Sequence, residues 1–391
     1  MNERIGTPIP DAELERRWAA LRAAMAVHGF DAIVCQSSND WLGGAVKWLT
    51  DMPATNGYPR TVLFFAEGPM TVVEMGPFGQ HRTLGGSDPV HRGVGDIHGT
   101  PAFLSVAYTH EYEGRLASDS LRQHGSRRVG IVGRGGLPHG LVTLLEREHT
   151  LGDATDLLDE IKAIKSDVEI KLIRRTAEVQ DEVFAAVLAG IRPGIRDIDV
   201  TALAQHEGQI RGSEQGIFLG CSARLGRAAG FQPRHLQARQ IEPGDHFSLL
   251  IEINGPGGFY TELARTIVLG RASAELLEGF AAVREAQEHT LSLLRPGALP
   301  AEIAFAHDAY MRSRGLPPEL RLYSHGQGYD MVERPLIRHD ETMPIAERMC
   351  VAVHPGYETP SLFAVICDNY LIGSTGVGDC LHRTEKKVFE V

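Results

Sequence analysis

Glu252 and Glu262 lie ten residues apart in two apolar stretches, within HFSLLIEINGPGGFYTELARTIVLG (246–270). Gly255-Pro256-Gly257-Gly258 joins the stretches and predicts a hairpin, which brings the two carboxylates near one another. His325 opens His-Gly-Gln-Gly, a turn with so little side-chain bulk that a ligand can approach closely. His354 ends the apolar run MCVAVHPGYE (349–358), and Cys367 and Asp368 interrupt LFAVICDNYLIG (362–373). Carboxylates beside imidazoles transfer protons near neutral pH or bind metal ions. The chain has no Walker A, dinucleotide fingerprint, HExxH or GxSxG motif. Cys221, in GCSARLG (220–226), has no base beside it in sequence and reads as a structural thiol.

The elements around these residues read as α/β (α+β). Leu14, Trp18, Leu21 and Met25 recur at helical spacing and predict a helix ending near Gly29. Apolar runs at 31–36, 61–67, 70–75 and 128–133 read as buried strands. The polar, helical segment 153–167 leads into a second unit, so domains are expected at 1–155 and 156–391.

That second unit repeats itself. Arg192-Pro193-Gly194 recurs as Arg295-Pro296-Gly297, Arg211-Gly212 as Arg314-Gly315, and Gly270 as Gly373, each 103 positions later. Such a duplication predicts pseudo-twofold packing around a shared sheet, with a site drawing on equivalent strands of both halves. At the same offset His354 matches Ile251, beside Glu252, and Cys367 matches Ala264, on the strand of Glu262.

With 39 Lys+Arg against 50 Asp+Glu, the formal charge is −11. This argues against nucleic acid or an anionic membrane as partner, since both demand a concentrated basic surface. Five scattered cysteines without CxxC, a charged N-terminus and no long apolar run lead to the expectation of a soluble, cytoplasmic protein.

KSDVEIKLIRRT (165–176), AGIRPG (189–194), IEPGD (241–245), GFYTELART (258–266) and SHGQG (324–328), with the strands around HPGYE and ICDNYLIG, resemble one family in order and spacing. The chain is similar to the creatinase / Xaa-Pro peptidase / methionine aminopeptidase family, whose fold is the duplicated "pita-bread" unit behind an N-terminal α/β domain. The resemblance covers essentially the whole chain. It implies two metal ions held by two aspartates, a histidine and two glutamates. The aspartates fall at or next to Glu252 (Asn254 being another candidate) and on Glu262, the histidine on His325, and the glutamates on His354 and Cys367.

A close pair of dications needs bridging carboxylates, which an imidazole cannot replace and a thiolate replaces only for softer ions. Creatinase, in the same family, works without metal. The expectation is therefore a metal-independent hydrolase that cleaves a C–N bond of a small amidine, guanidino or amide compound. His325, Glu262, Glu252 and His354 are its acid–base group, and no cofactor is assigned. A single zinc or similar ion on some of these residues and Cys367 remains compatible. The alternatives are a Xaa-Pro-type metallopeptidase or other metal-dependent hydrolase with an altered ligand set, a lyase, or a non-catalytic ligand-binding relative. Val332 stands where the family's peptidases carry a second histidine, which makes peptidase activity doubtful. His235, Tyr260, Glu333, Arg338 and Cys367 are the candidates for substrate contact. The resemblance also implies a homodimer, and a small nitrogen-containing substrate is the expected ligand.

Overall fold

The computed structural model describes residues 7–53 and 55–391. The chain divides into two compact units, Met1–Lys162 and Ala163–Val391. In the first, helix α1 (Asp11–His28) buries Leu14, Leu21 and Met25 and stops where Gly29 adopts a φ of 69°. The Trp18 indole is half-buried and donates to the Leu49 carbonyl at 2.8 Å. The expected apolar runs become β1 (Ala32–Ser37), β2 (Arg60–Phe65), β3 (Met70–Met75) and β6 (Arg128–Ile131). They share one seven-stranded sheet with β4 (His81–Thr83), β5 (Val94–Thr100) and β7 (Thr150–Asp153), in the order β4-β5-β3-β2-β1-β6-β7. The three extra strands are short or polar, so alternation does not announce them. Helices α2 (Gly44–Thr50), α3 (Tyr112–Gln123), α4 (His139–Glu148) and α5 (Thr155–Ala163) complete this unit up to its boundary.

The second unit opens with helix α6 (Asp167–Gly190). Ser166 caps it by accepting from the Glu169 amide at 3.2 Å, while the Glu169 carboxylate accepts from the Ser166 amide at 2.8 Å. Helix α7 (Asp197–Ile210) and strands β8 (Gly216–Arg224), β9 (Asp245–Asn254) and β10 (Tyr260–Val268) make the first half. Helices α8 (Ala274–Leu293) and α9 (Pro300–Ser313) open the second half, ending 103 positions after the ends of α6 and α7. Its strands are β11 (Ser324–Gly326), β12 (Glu333–Leu336), β13 (Cys350–Val353), β14 (Gly356–Thr359), β15 (Leu362–Val365), β16 (Asp368–Ile372) and β17 (Val377–Cys380). The C-terminal β18 (Phe389–Glu390) returns to pair with β10.

The halves form separate sheets, β18-β10-β9-β8 and β12-β11-β13-β16-β17. Ala264 and Cys367 join them by exchanging backbone hydrogen bonds of 3.3 Å each. These two residues are partners at the 103-residue offset, so the pseudo-twofold relation passes between them. The Arg265 guanidinium bonds the Asp368 carboxylate at 2.6 Å across the same seam, again between residues 103 apart. Helix α6 buries Val179, Val183, Phe184 and Val187 against Phe247, Leu249 and Ile251. The Gln180 amide donates to the Ile251 carbonyl at 3.0 Å and the Thr261 carbonyl at 2.5 Å, which fixes β9 and β10 under the helix. Among the described residues no helix is long and apolar enough to cross a membrane.

Candidate active site

The hairpin forms as its sequence requires. The Gly258 amide donates to the Gly255 carbonyl at 2.8 Å, with Pro256 second in the turn and Gly257 third at φ 90°, the type II pattern. A Cβ on Gly255 would lie 2.3 Å from the Thr176 hydroxyl, so only glycine lets the turn pass α6 this closely. The resulting register sets Glu262 opposite Glu252, on the same face of the sheet as Leu250 and Ala264. Asn254 does not enter the site, because its carboxamide oxygen accepts from the amides of Glu214 (3.0 Å) and Gln215 (2.6 Å).

The second half supplies the opposing groups. His325 on β11 and His354 just after β13 each place Nε2 at 3.3 Å from Glu262 Oε1, with ring centroids 5.2 Å apart. One ligand-type atom from each of these three residues lies within 4.8 Å of the others. Neither contact is a directed hydrogen bond, and Glu262 Oε1 and His354 Nε2 are buried without a partner. His325 Nδ1 lies 2.8 Å from the Gly326 carbonyl, which can only accept. The proton therefore sits on Nδ1 in the neutral ring, and Nε2 presents its lone pair to Glu262.

These groups floor a cavity of about 230 Å³ walled by Phe231, Leu250, Leu322, Val332 and Val365, with Arg321 also lining it. Glu252 is held by the Gln327 amide at 3.0 Å. Gln327 in turn accepts from Asn369 at 2.7 Å, and Asn369 accepts from the Glu262 amide at 2.7 Å. Burial, and then the charge of Glu262, raise the Glu252 carboxyl well above the usual range, against the Gln327 donation. Burial would raise Glu262 too, but His354 and His325 more than offset it and hold it low. Burial pushes His354 down to about 4, against the attraction of Glu262. For His325 burial acts in the same downward sense, but the contact with Glu262 outweighs it and the net shift is upward. Two imidazoles thus converge on one carboxylate oxygen in an apolar cavity, a grouping of donor atoms able to hold a metal ion.

Cys367 lines the cavity, but burial keeps it a thiol, and its S–H donates to the Glu262 backbone carbonyl at 3.4 Å. The remaining expected contacts lie outside the cavity. His235 is exposed on the short turn Arg234–Leu236. Tyr260 is wholly buried at the start of β10. Glu333 is buried in an ion pair with Lys165 at 2.6 Å, and exposed Arg338 pairs with Asp340 at 2.9 Å. In their place the structure brings in Arg321, Leu322, Gln327 and Asn369. Gln327 lay inside the SHGQG motif and Asn369 beside Asp368. Arg321 is a loop residue without periodicity, signalled only by standing four positions before His325.

Residues 171–374 match the model of metallopeptidase family M24, a span of more than half the chain that holds the three converging residues. A Xaa-Pro dipeptidase of Pyrococcus horikoshii is 24% identical over 271 residues, covering 68% of this chain and 75% of that protein. Among solved structures, a Xaa-Pro dipeptidase from Bacillus anthracis superposes with a TM-score of 0.74 at 18% identity, covering 97% of this chain and 100% of that one. A Thermotoga maritima X-Pro aminopeptidase gives 0.77 at 16% identity, covering 96% and 99%. These likenesses show the pita-bread fold. They also overturn the expectation of a metal-independent amidine or guanidino hydrolase, and the doubt about peptidase chemistry, because the family and its named relatives are peptidases. The replacement of a glutamate by His354 does not empty the site of donor atoms, because its imidazole reaches Glu262 at 3.3 Å. With its duplicated fold, its site at the seam of the two halves and a family match across both, the chain belongs to the hydrolases of metallopeptidase family M24.

Proposed function

We propose that the chain is a metal-dependent hydrolase of short peptide-type C–N bonds, working with a ligand set altered from that of its family. The observation that carries this reading is the convergence of Glu262, His325 and His354 on the floor of one apolar cavity. The family's two-ion set does not fit these residues, since His354 and Cys367 stand where bridging glutamates would be needed. A single ion does fit, held by Glu262 Oε1, His325 Nε2 and His354 Nε2. When bound, such an ion polarises a carbonyl and lowers the pKa of a bound water.

The chain's own groups do the rest. Phe231, Leu250, Leu322 and Val365 exclude bulk water and take an apolar side chain. Gln327 holds Glu252 by Oε1, leaving Oε2 as the atom through which a proton passes to the departing nitrogen. The Xaa-Pro relatives put Xaa-Pro dipeptides first among the substrates to try. Assay of the purified chain on dipeptides and N-acyl amino acids should show C–N cleavage that 1,10-phenanthroline stops and added divalent ion restores. Undiminished cleavage by the chelated, metal-free protein would overturn the reading.

Arg321 gives the substrate a polarity. Buried Glu319 grips its Nε and Nη2 at 3.1 and 2.9 Å, and Nη2 also reaches the His354 carbonyl at 3.3 Å. Nη1 makes no hydrogen bond among the described residues and is left to receive a carboxylate. With its side chain 38% exposed, Arg321→Met should raise KM for carboxylate-bearing substrates by about tenfold while changing kcat less. An equal KM for a substrate and its carboxamide in the unaltered enzyme would refute this role.

A further inference from the structure

We propose that the cavity binds one borderline divalent ion per chain, such as zinc or cobalt(II), through Glu262, His325 and His354, and does not assemble an ion pair. This rests on the metal-dependent reading above and fixes its stoichiometry and ligands. The spacing is the first support. Bonds of about 2.0–2.1 Å to a tetrahedral ion set neighbouring ligand atoms roughly 3.3–3.4 Å apart. Both imidazole nitrogens lie 3.3 Å from the carboxylate oxygen.

The second support is preparation. The Gly326 carbonyl fixes the His325 tautomer with Nε2 bare, as an outer-shell acceptor does for a metal-binding histidine. Glu262 Oε1 and His354 Nε2 are buried and unpartnered, a costly state that a cation relieves. The third support is what the surroundings lack. A second ion would need another bridging carboxylate. Glu252 is turned to Gln327, and the Cys367 S–H is committed to the Glu262 backbone. Two nitrogens and one oxygen suit zinc or cobalt better than calcium or magnesium, which take oxygen-rich sets. The other grouping of ligand-type atoms, Asp368, Cys380 and His382, offers no rival, because the Arg265 guanidinium already neutralises Asp368.

The test is metal content by mass spectrometry and calorimetric titration of the metal-free full chain with zinc alone, followed by the visible spectrum of the cobalt form. One ion per chain is expected, with affinity at least about a hundredfold weaker in His354→Ala and in the closer-fitting His354→Gln. Cys367→Ser should still bind one ion, and the cobalt form should lack a thiolate charge-transfer band. Two ions per chain, a thiolate band, unchanged affinity in both His354 variants, or no binding at micromolar zinc would each overturn the proposal. Two ions in a chelator-sensitive enzyme would leave the metal-dependent reading standing. Cleavage by the chelated protein would remove that reading, whatever the titration shows.

Discussion

Glu262→Gln should lower kcat/KM by at least about 10³-fold, close to 4 kcal/mol of transition-state stabilisation, while the protein stays folded. Among the described residues Glu262 is the only carboxylate that both imidazoles approach, so its amide isostere removes the one negative charge of the set and leaves its shape. The backbone bond from Glu262 to Asn369 does not involve the changed atoms, and the register with Glu252 should persist. Stability without metal should fall modestly at neutral pH, because the two imidazoles hold the Glu262 carboxyl below its ordinary range and the neutral amide loses that attraction. Steady-state kinetics beside urea unfolding of the metal-free protein separate the two effects. More than a tenth of the original activity in a folded Glu262→Gln protein would show that the chemistry lies elsewhere. Arg338→Ala, a change at an exposed ion pair outside the cavity, provides the contrast and should leave kcat/KM within about twofold.

What the sequence showed and what it concealed follow from the range of its signals. The hairpin was legible because Gly-Pro-Gly-Gly dictates a turn, and a turn fixes which residues face each other. The duplication was legible because Arg-Pro-Gly and the strand-closing glycines recur at one offset. His325, His354, Glu252 and Glu262 were legible as polar interruptions of apolar strands. Glu333 looked the same locally, yet its partner is Lys165, 168 positions away, and no local pattern records such a pair. Tyr260 likewise sits in a site-like motif and is fully buried outside the cavity. Arg321 was hidden for the opposite reason, since a loop cation looks like solvated surface until a buried Glu319 orients it. The donor set depends on three-dimensional convergence. Counted along the chain, two carboxylates are replaced; in space, a second imidazole arrives at Glu262, one of the two that remain.

Asp368→Ala should destabilise the Ala163–Val391 unit by about 3–5 kcal/mol, the largest stability effect expected of one substitution here. Arg265 and Asp368 are both completely buried. The guanidinium also donates to the carbonyls of Ala264, Cys367, Thr384 and Glu385, each at 2.9 Å, and Gln287 donates to the far oxygen of Asp368 at 3.1 Å. Removing the carboxylate leaves a buried cation with neutral acceptors only, whereas removing both charges does not. The double variant Arg265→Met/Asp368→Leu should therefore lose less than the sum of the two single changes, and urea unfolding of all four proteins measures that coupling. The pair spans the seam beside the Ala264–Cys367 bridge, which sets Glu262 at its distance from the second half. Asp368→Ala should accordingly weaken zinc binding at urea concentrations below its unfolding transition, since the ligands come from both sides of that seam. A cost under about 1 kcal/mol, with zinc affinity unchanged, would mean that apolar packing and the backbone bridge suffice to hold the halves in register. The buried pair would then have no part in positioning the site.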